Sequence, residues 1–170
     1  MGVSGCGKST IGSSLASRLN RPFKDGDTFH PPENIEKMRS GIPLTDEDRI
    51  PWLQVINVFA RSNPGCVIAC SALKKLYRSV LSENLPEGNT GGGAMFVLLN
   101  LKREVLQKRV ESRPGHFMPS ILLDSQLATL EMPGSEEPNV IIIDEDHSEN
   151  HVVDLIIAQL NLEKQASNKN

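Results

Sequence analysis

Stretches in which apolar residues recur every third or fourth position alternate along this chain with short runs that are apolar throughout. The first pattern marks helices with one buried face, and the second marks strands covered on both faces. Ile11, Leu15 and Leu19 predict a helix that begins near Lys8, and Pro22 to Asp25 reads as a short extended segment. Pro31-Pro32 opens a second helix that stops at Gly41, since proline suits the first helical turn and glycine the position after the last. Thr45 offers a cap for a helix from Asp46 to Arg61, on which Trp52, Val55, Ile56 and Phe59 recur at helical spacing as a core face. Cys66 to Cys70, Met95 to Leu99 and Val140 to Asp144 predict buried strands. Further helices are expected over Ala72 to Ser82, Arg103 to Glu111, Ile121 to Leu130 and Asn150 to Leu160. Pro86 to Gly93 is dense in turn-forming residues and reads as a surface connection, while the polar residues 163–170 read as a disordered tail.

Uniformly apolar strands separated by helices imply parallel neighbours joined by crossovers, hence an α/β fold in three layers, α/β/α, around a parallel sheet. With 170 residues the chain suits one domain, placed over 1–162. A hydrophobic share of 38% and a charged share of 23% exclude disordered, collagen-like and membrane classes. The net charge of -3 gives no basic field to draw the chain onto nucleic acid. No apolar run approaches the length of a membrane helix and no signal sequence opens the chain, so a cytoplasmic location is expected. Cys6, Cys66 and Cys70 are odd in number and lack the neighbours of a zinc set, so they are expected as free thiols that pack.

Gly2-Val3-Ser4-Gly5-Cys6-Gly7-Lys8-Ser9 fits the pattern G-x-x-x-x-G-K-S throughout, with Thr10 following in the first helical turn. Glycines let backbone N–H groups turn inward around phosphate oxygens, Lys8 supplies a cation, and Ser9 offers a hydroxyl to Mg²⁺. The fold class is therefore that of the P-loop NTPases, with ATP as the expected ligand. Such a loop normally follows a buried strand. Here the chain opens on the loop itself, so the first strand of the sheet is expected to be missing and the chain to be shortened at its N-terminus.

Asp25-Gly26-Asp27 closes an extended segment and reads as a pair of carboxylates facing the P-loop, able to hold a metal-bound water and a substrate hydroxyl. Arg49 reads either as a surface partner of Asp46 or Asp48 or as a fork for a substrate carboxylate. Ser71 and Lys74 follow an apolar strand, where open α/β sheets place ligand contacts, whereas Lys75 and Arg78 read as solvated charges. Val140 to Asp144 imitates a metal-binding strand of other P-loop proteins but is read as a decoy, and His147 with His151 as a solvated helix start.

Several blocks beyond the loop share one order: Asp25-Gly26-Asp27 with His30-Pro31, Asn34 to Met38, Gly41 to Leu44 with Asp46, Asp48-Arg49 and Pro51-Trp52-Leu53. They continue through Cys70 to Lys75 with Tyr77-Arg78, then Arg113, Gly115-His116-Phe117 and Ser125-Gln126. In these the chain resembles the small P-loop gluconokinases, relatives of shikimate and adenylate kinases, over nearly its whole length. The resemblance implies phosphorylation of D-gluconate to 6-phospho-D-gluconate by ATP with Mg²⁺, and it allows a homodimer. It implies that Ser9, and Asp25 through water, serve the metal, that Asp27 receives or orients the acceptor hydroxyl, and that His30, Arg49, Ser71, Lys74 and His116 meet the sugar acid. Residues 112–119 would form a lid, with Arg109 on the adenine side and Arg113 on the phosphoryl side. Two alternatives stand beside it: a shortened, inactive member that binds nucleotide weakly, and a related kinase of the shikimate type.

Overall fold

The computed structural model describes residues 1–85, 93–112, 120–144 and 146–167. Arg113 and His116, with nearly all of the expected lid, lie outside these residues, as does most of the 86–93 connection.

The chain opens on a loop that runs into helix α1 (Lys8–Leu19), followed by strand β1 (Phe23–Asp25), a 3₁₀ turn (Gly26–Phe29), and helices α2 (Pro32–Arg39) and α3 (Asp46–Ser62). Strand β2 (Val67–Ala69), helix α4 (Lys75–Ser82), strand β3 (Phe96–Leu99), helices α5 (Arg103–Glu111) and α6 (Ser120–Thr129), strand β4 (Val140–Ile143) and helix α7 (Glu149–Ser167) complete it. Helix α3 begins where its capping chemistry places it. The Thr45 hydroxyl accepts from the Asp48 N–H, and the Asp48 carboxylate accepts from the Thr45 N–H at 3.0 Å. Helix α7 runs past residue 162, into the segment read from sequence as tail.

Strands β1 and β2 pair in parallel, Lys24 opposite Ile68, and β3 pairs in parallel with β4, Val97 opposite Ile141. Between the two pairs lies the start of the chain. Gly2 N–H donates to Ser71 O at 3.0 Å on one side, and Leu99 N–H donates to Met1 O at 3.0 Å on the other. No strand precedes α1 among the described residues; Met1 and Gly2 stand in the central row and stitch the two parallel pairs together.

Helices α1 and α7 pack on each other, as do α3 and α4, and the two pairs flank the strands in three layers. Trp52, Leu53 and Ile56 of α3, Tyr77 and Leu81 of α4, and Val153 and Ile156 of α7 meet Leu99, Ile141 and Ile143 in one core. Trp52 and Ile56 fulfil the core face expected of α3; Val55, with about half its surface exposed, does not. Helix α4 starts three residues later than the sequence pattern implies. Ala72 takes a left-handed conformation, φ 45°, and the carbonyls of Ala72 and Leu73 turn to the Arg78 guanidinium instead of entering the helix. This corrects the reading of Arg78 as a solvated charge: it is 2% exposed and paired with Glu137. Lys75 is exposed, as expected, and pairs with Glu136.

Candidate active site

The P-loop is shaped by close packing from α5. At Gly5, φ 84°, a β-carbon would come within 2.9 Å of Val110 Cγ2 and 3.0 Å of Leu106 O. Gly7, φ 97°, takes the left-handed cap position of α1, where no side chain caps the helix, and the first turn holds no acidic residue. The N–H groups of Lys8, Ser9 and Thr10 lie in that turn, beyond the reach of any intrahelical carbonyl, and the helix presents its positive end there. This is an anion site built from backbone. Lys8 Nζ reaches back over the loop to Val3 O at 3.0 Å.

Ser9 and Asp25 meet directly, the hydroxyl donating to Asp25 Oδ2 at 2.6 Å. The other oxygen, Oδ1, accepts from the Asp27 N–H at 3.0 Å, so the Asp25 carboxylate is fixed by the turn that follows it. Gly26 is needed between the two acids: a β-carbon there would fall 2.7 Å from Ala69 O in the neighbouring strand. The same turn is anchored by Trp52 Nε1, which donates to Gly26 O at 2.8 Å. Asp27 stays exposed, with Oδ1 3.9 Å from Nε2 of His30.

His30 lies flat on Trp52, ring centroids 4.0 Å apart, and is nearly buried. Burial lowers its pKa, with Arg49 acting in the same direction and Asp27 opposing them. The imidazole is therefore held neutral where an exposed one would begin to protonate. The sign of the consequence follows from linkage. The unfolded chain takes up the proton first, so stability is full above pH 6.5 and falls as pH drops toward the lower folded value. A His30→Asn variant is expected to lose less melting temperature than the parent between pH 7.5 and pH 5.5, read by thermal denaturation at each pH. An equal loss in both would show that His30 is not the group responsible.

Arg49 does not pair with the acids beside it in sequence. Asp48 is taken by Lys37 Nζ at 2.6 Å, and both oxygens of Asp46 by Lys74 Nζ at 2.8 Å, while the Tyr77 hydroxyl also donates to Asp46. These bonds hold both carboxyls below their usual pKa. Arg49 is 7% exposed, donates through Nε to Leu44 O, and lies over the Tyr77 ring. Lys74, expected at the substrate, is instead occupied by Asp46 and does not line either cavity described next.

Two cavities meet at the P-loop. The larger, about 750 Å³, is lined by Ser4, Lys8 and Ser9 of the loop region, by Asp25, Asp27, His30, Arg49 and Ser71, and by Arg39, Ser125 and Gln126. The smaller, about 240 Å³, lies between Cys6, Thr10 and Ile11 and the segment carrying Asp146, His147 and Val152, with Leu101 and Ile143 behind. Gly7, Thr10 and Arg109 line both. Arg109 is held by Asp146 at this junction. Sequence reasoning assigned no role to Arg39, Ser125 or Gln126 beyond the last two belonging to a shared motif. Asp144, on the strand read as a decoy, accepts from Asn100 Nδ2 at 2.7 Å and lines neither cavity. His147 and His151 face each other edge to face, and the described residues contain no cluster of three or more metal-ligating groups. The cysteines are free, and burial pushes the Cys70 thiol up to about 11.

The family model for shikimate kinase matches residues 4–161. A gluconokinase of Gluconobacter oxydans (strain 621H) is 45% identical over 161 residues, which span 92% of this chain and 86% of that protein. The chain belongs to the gluconokinase family. The thermoresistant gluconokinase of Escherichia coli (strain K12) is 45% identical over 86% of this chain and 82% of its own length. Among solved structures, a gluconokinase from Sinorhizobium meliloti 1021 superposes with a TM-score of 0.79 at 44% identity, covering 98% of this chain and 87% of that one. A gluconokinase-family chain is a P-loop kinase, and the three-layer parallel fold and the anion site at the start of α1 are those of such an enzyme. No helix among the described residues is long and apolar enough to cross a membrane.

Proposed function

We propose that this enzyme transfers the terminal phosphoryl group of ATP to a hydroxyl of D-gluconate, giving 6-phospho-D-gluconate and ADP. The observation that carries the reading is the larger cavity, which joins Lys8 and Ser9 at the end of the phosphate loop to Asp27 and Arg49 on its far side. A sugar acid needs both features: a cation for its carboxylate and a carboxylate for its reacting hydroxyl. Adenine fits the smaller cavity, where Leu101, Ile143 and Val152 give apolar walls, and the phosphates then pass Gly7 and Arg109 into the larger one.

In the transfer an acceptor oxygen bonds to the terminal phosphorus as the bond to the bridging oxygen of ADP breaks. Asp27 accepts the hydroxyl proton, a role that its exposed side chain can fill. Lys8 and the N–H groups of the loop hold the charge that spreads over the phosphoryl oxygens, and most of the rate enhancement arises from that positioning. The Ser9 hydroxyl and Asp25 carboxylate are hard oxygen ligands 2.6 Å apart. That pair fits Mg²⁺, a hard cation that takes oxygen ligands; Ser9 would hold it and Asp25 would serve it through water. The ion, when bound, offsets charge on the phosphates. Arg113 and His116 complete the proposal on the phosphoryl and acceptor sides, and a cytoplasmic location suits the supply of ATP.

Arg49 is the specificity group in this reading. Its Nε is spent on Leu44 O, leaving the terminal nitrogens of the fork for a carboxylate in the cavity. Ser71 lines the same cavity and can donate to a sugar hydroxyl; Lys74, held by Asp46, acts behind the wall. The test is ADP release from Mg·ATP with D-gluconate and, in parallel, shikimate. Gluconate-dependent release is expected from the parent chain, and an Arg49→Lys variant should raise KM for gluconate about tenfold with a smaller change in KM for ATP. Release driven by shikimate and not by gluconate would overturn the assignment.

A further inference from the structure

A side-chain hydrogen bond reaches the P-loop from α6. Gln126, on α6, accepts a hydrogen bond from the Ser4 N–H through Oε1 at 2.7 Å, across 122 residues of sequence. That contact fixes the orientation of the amide. A backbone N–H can only donate, so the oxygen must face Ser4 and the NH₂ group must face the other way. No described residue accepts from this NH₂, and Gln126 lines the larger cavity together with Ser4, Lys8 and Ser9. Neither Ser4 nor Gln126 lines the smaller cavity, to which adenine is assigned above. The free donors of Gln126 thus line the larger cavity, to which the acceptor is assigned, and not the smaller one.

We propose that Gln126 reads the terminal phosphate of the bound nucleotide: its oxygen holds Ser4 of the P-loop in place while its NH₂ donates to the phosphoryl group that is transferred. The proposal rests on the nucleotide lying along the P-loop as described above, and it does not depend on the identity of the acceptor. A donor that meets only the terminal phosphate distinguishes ATP from ADP, so the charge-assisted bond works in one direction: it favours the triphosphate on entry and is lost to ADP on departure. The arrangement also connects the loop to α6, the helix that follows residues 113–119 in sequence.

Three proteins decide the matter: the parent, Gln126→Ala and Gln126→Glu, each titrated calorimetrically with Mg·ADP and with a non-hydrolysable Mg·ATP analogue. Glutamate keeps an oxygen for the Ser4 N–H but has no NH₂ and adds a negative charge. The expected result is that Gln126→Ala weakens the ATP analogue about tenfold or more and ADP by less than about twofold, and that Gln126→Glu weakens the analogue at least as far. Equal losses for both nucleotides, or no loss, would overturn the proposal, and full affinity in Gln126→Glu would reduce Gln126 to a prop for Ser4. Melting temperatures measured alongside identify a variant that has not folded; Gln126→Glu, nearly the same shape, then carries the decision. Gluconate-dependent ADP release by the parent is read separately: its absence would sink the acceptor assignment and leave the nucleotide comparison standing.

Discussion

Replacing Lys8 by Ala is expected to lower gluconate-dependent kcat by roughly 10²–10³-fold, because it removes one positioned charge from a site that works by holding charge in place. The folded protein should barely register the change. Among the described residues Lys8 makes a single hydrogen bond, to Val3 O, and the loop around it is held by Gly2 to Ser71 and by Ser4 to Gln126. A melting temperature within about 2 °C of the parent is therefore expected. Stopped or steady-state ADP release with saturating gluconate gives kcat, and near-normal turnover in this variant would refute the assignment of the loop as the phosphoryl-transfer site. A Lys8→Arg variant should recover only part of the rate, since a planar fork does not occupy the place of a compact ammonium.

The second large effect concerns stability. Arg78 is buried, and its guanidinium makes a two-pronged pair with Glu137 at 2.6 and 2.7 Å while Nη1 donates to the carbonyls of Ala72, Leu73 and Glu131. It ties the turn before α4 to the segment between α6 and β4. Removing it in Arg78→Ala strands a carboxylate whose side chain is only 11% exposed, together with several carbonyls, at a cost of about 3–5 kcal/mol. For a domain of this size that corresponds to a melting temperature lower by roughly 6–20 °C. The pair also carries a pH signature. Arg78 holds the Glu137 carboxyl below its ordinary value of 4.5, so its contribution is complete above that pH and fades as pH falls through the lower folded value. Arg78→Ala should accordingly be less sensitive to acid than the parent in that window. A Tm loss under about 2 °C, or an unchanged acid sensitivity, would show that the pair is not what secures this turn.

Much of the fold was legible because its signals are local. The P-loop motif, the Thr45 helix cap and the apolar strands each depend on residues within a few positions of one another, and each appears where the sequence places it. Asp25, Asp27, His30, Arg49 and Ser71 do line one cavity with Lys8 and Ser9. Charges were harder to read. Arg78 looks like the polar face of an amphipathic helix until Glu137 closes on it from 59 residues away. Lys74 looks available to substrate until Asp46 claims it across 28 residues.

Arg49 shows the division most clearly. Sequence alone put three acids within three positions of it, Asp46 and Asp48 among them, and could offer both a local ion pair and a substrate contact. Asp46 and Asp48 are drawn off by Lys74 and Lys37, which leaves Arg49 to Leu44 O, the Tyr77 ring and the cavity. The sequence by itself determined which residues can bind phosphate, cap helices and form strands, since backbone conformation and hydrogen-bonding capacity act over a few residues. Which cations are spent on structure and which are left for a ligand was decided only by the tertiary fold, because a charge is neutralised by whichever partner packing brings within bonding distance, and that partner is not written beside it in the chain.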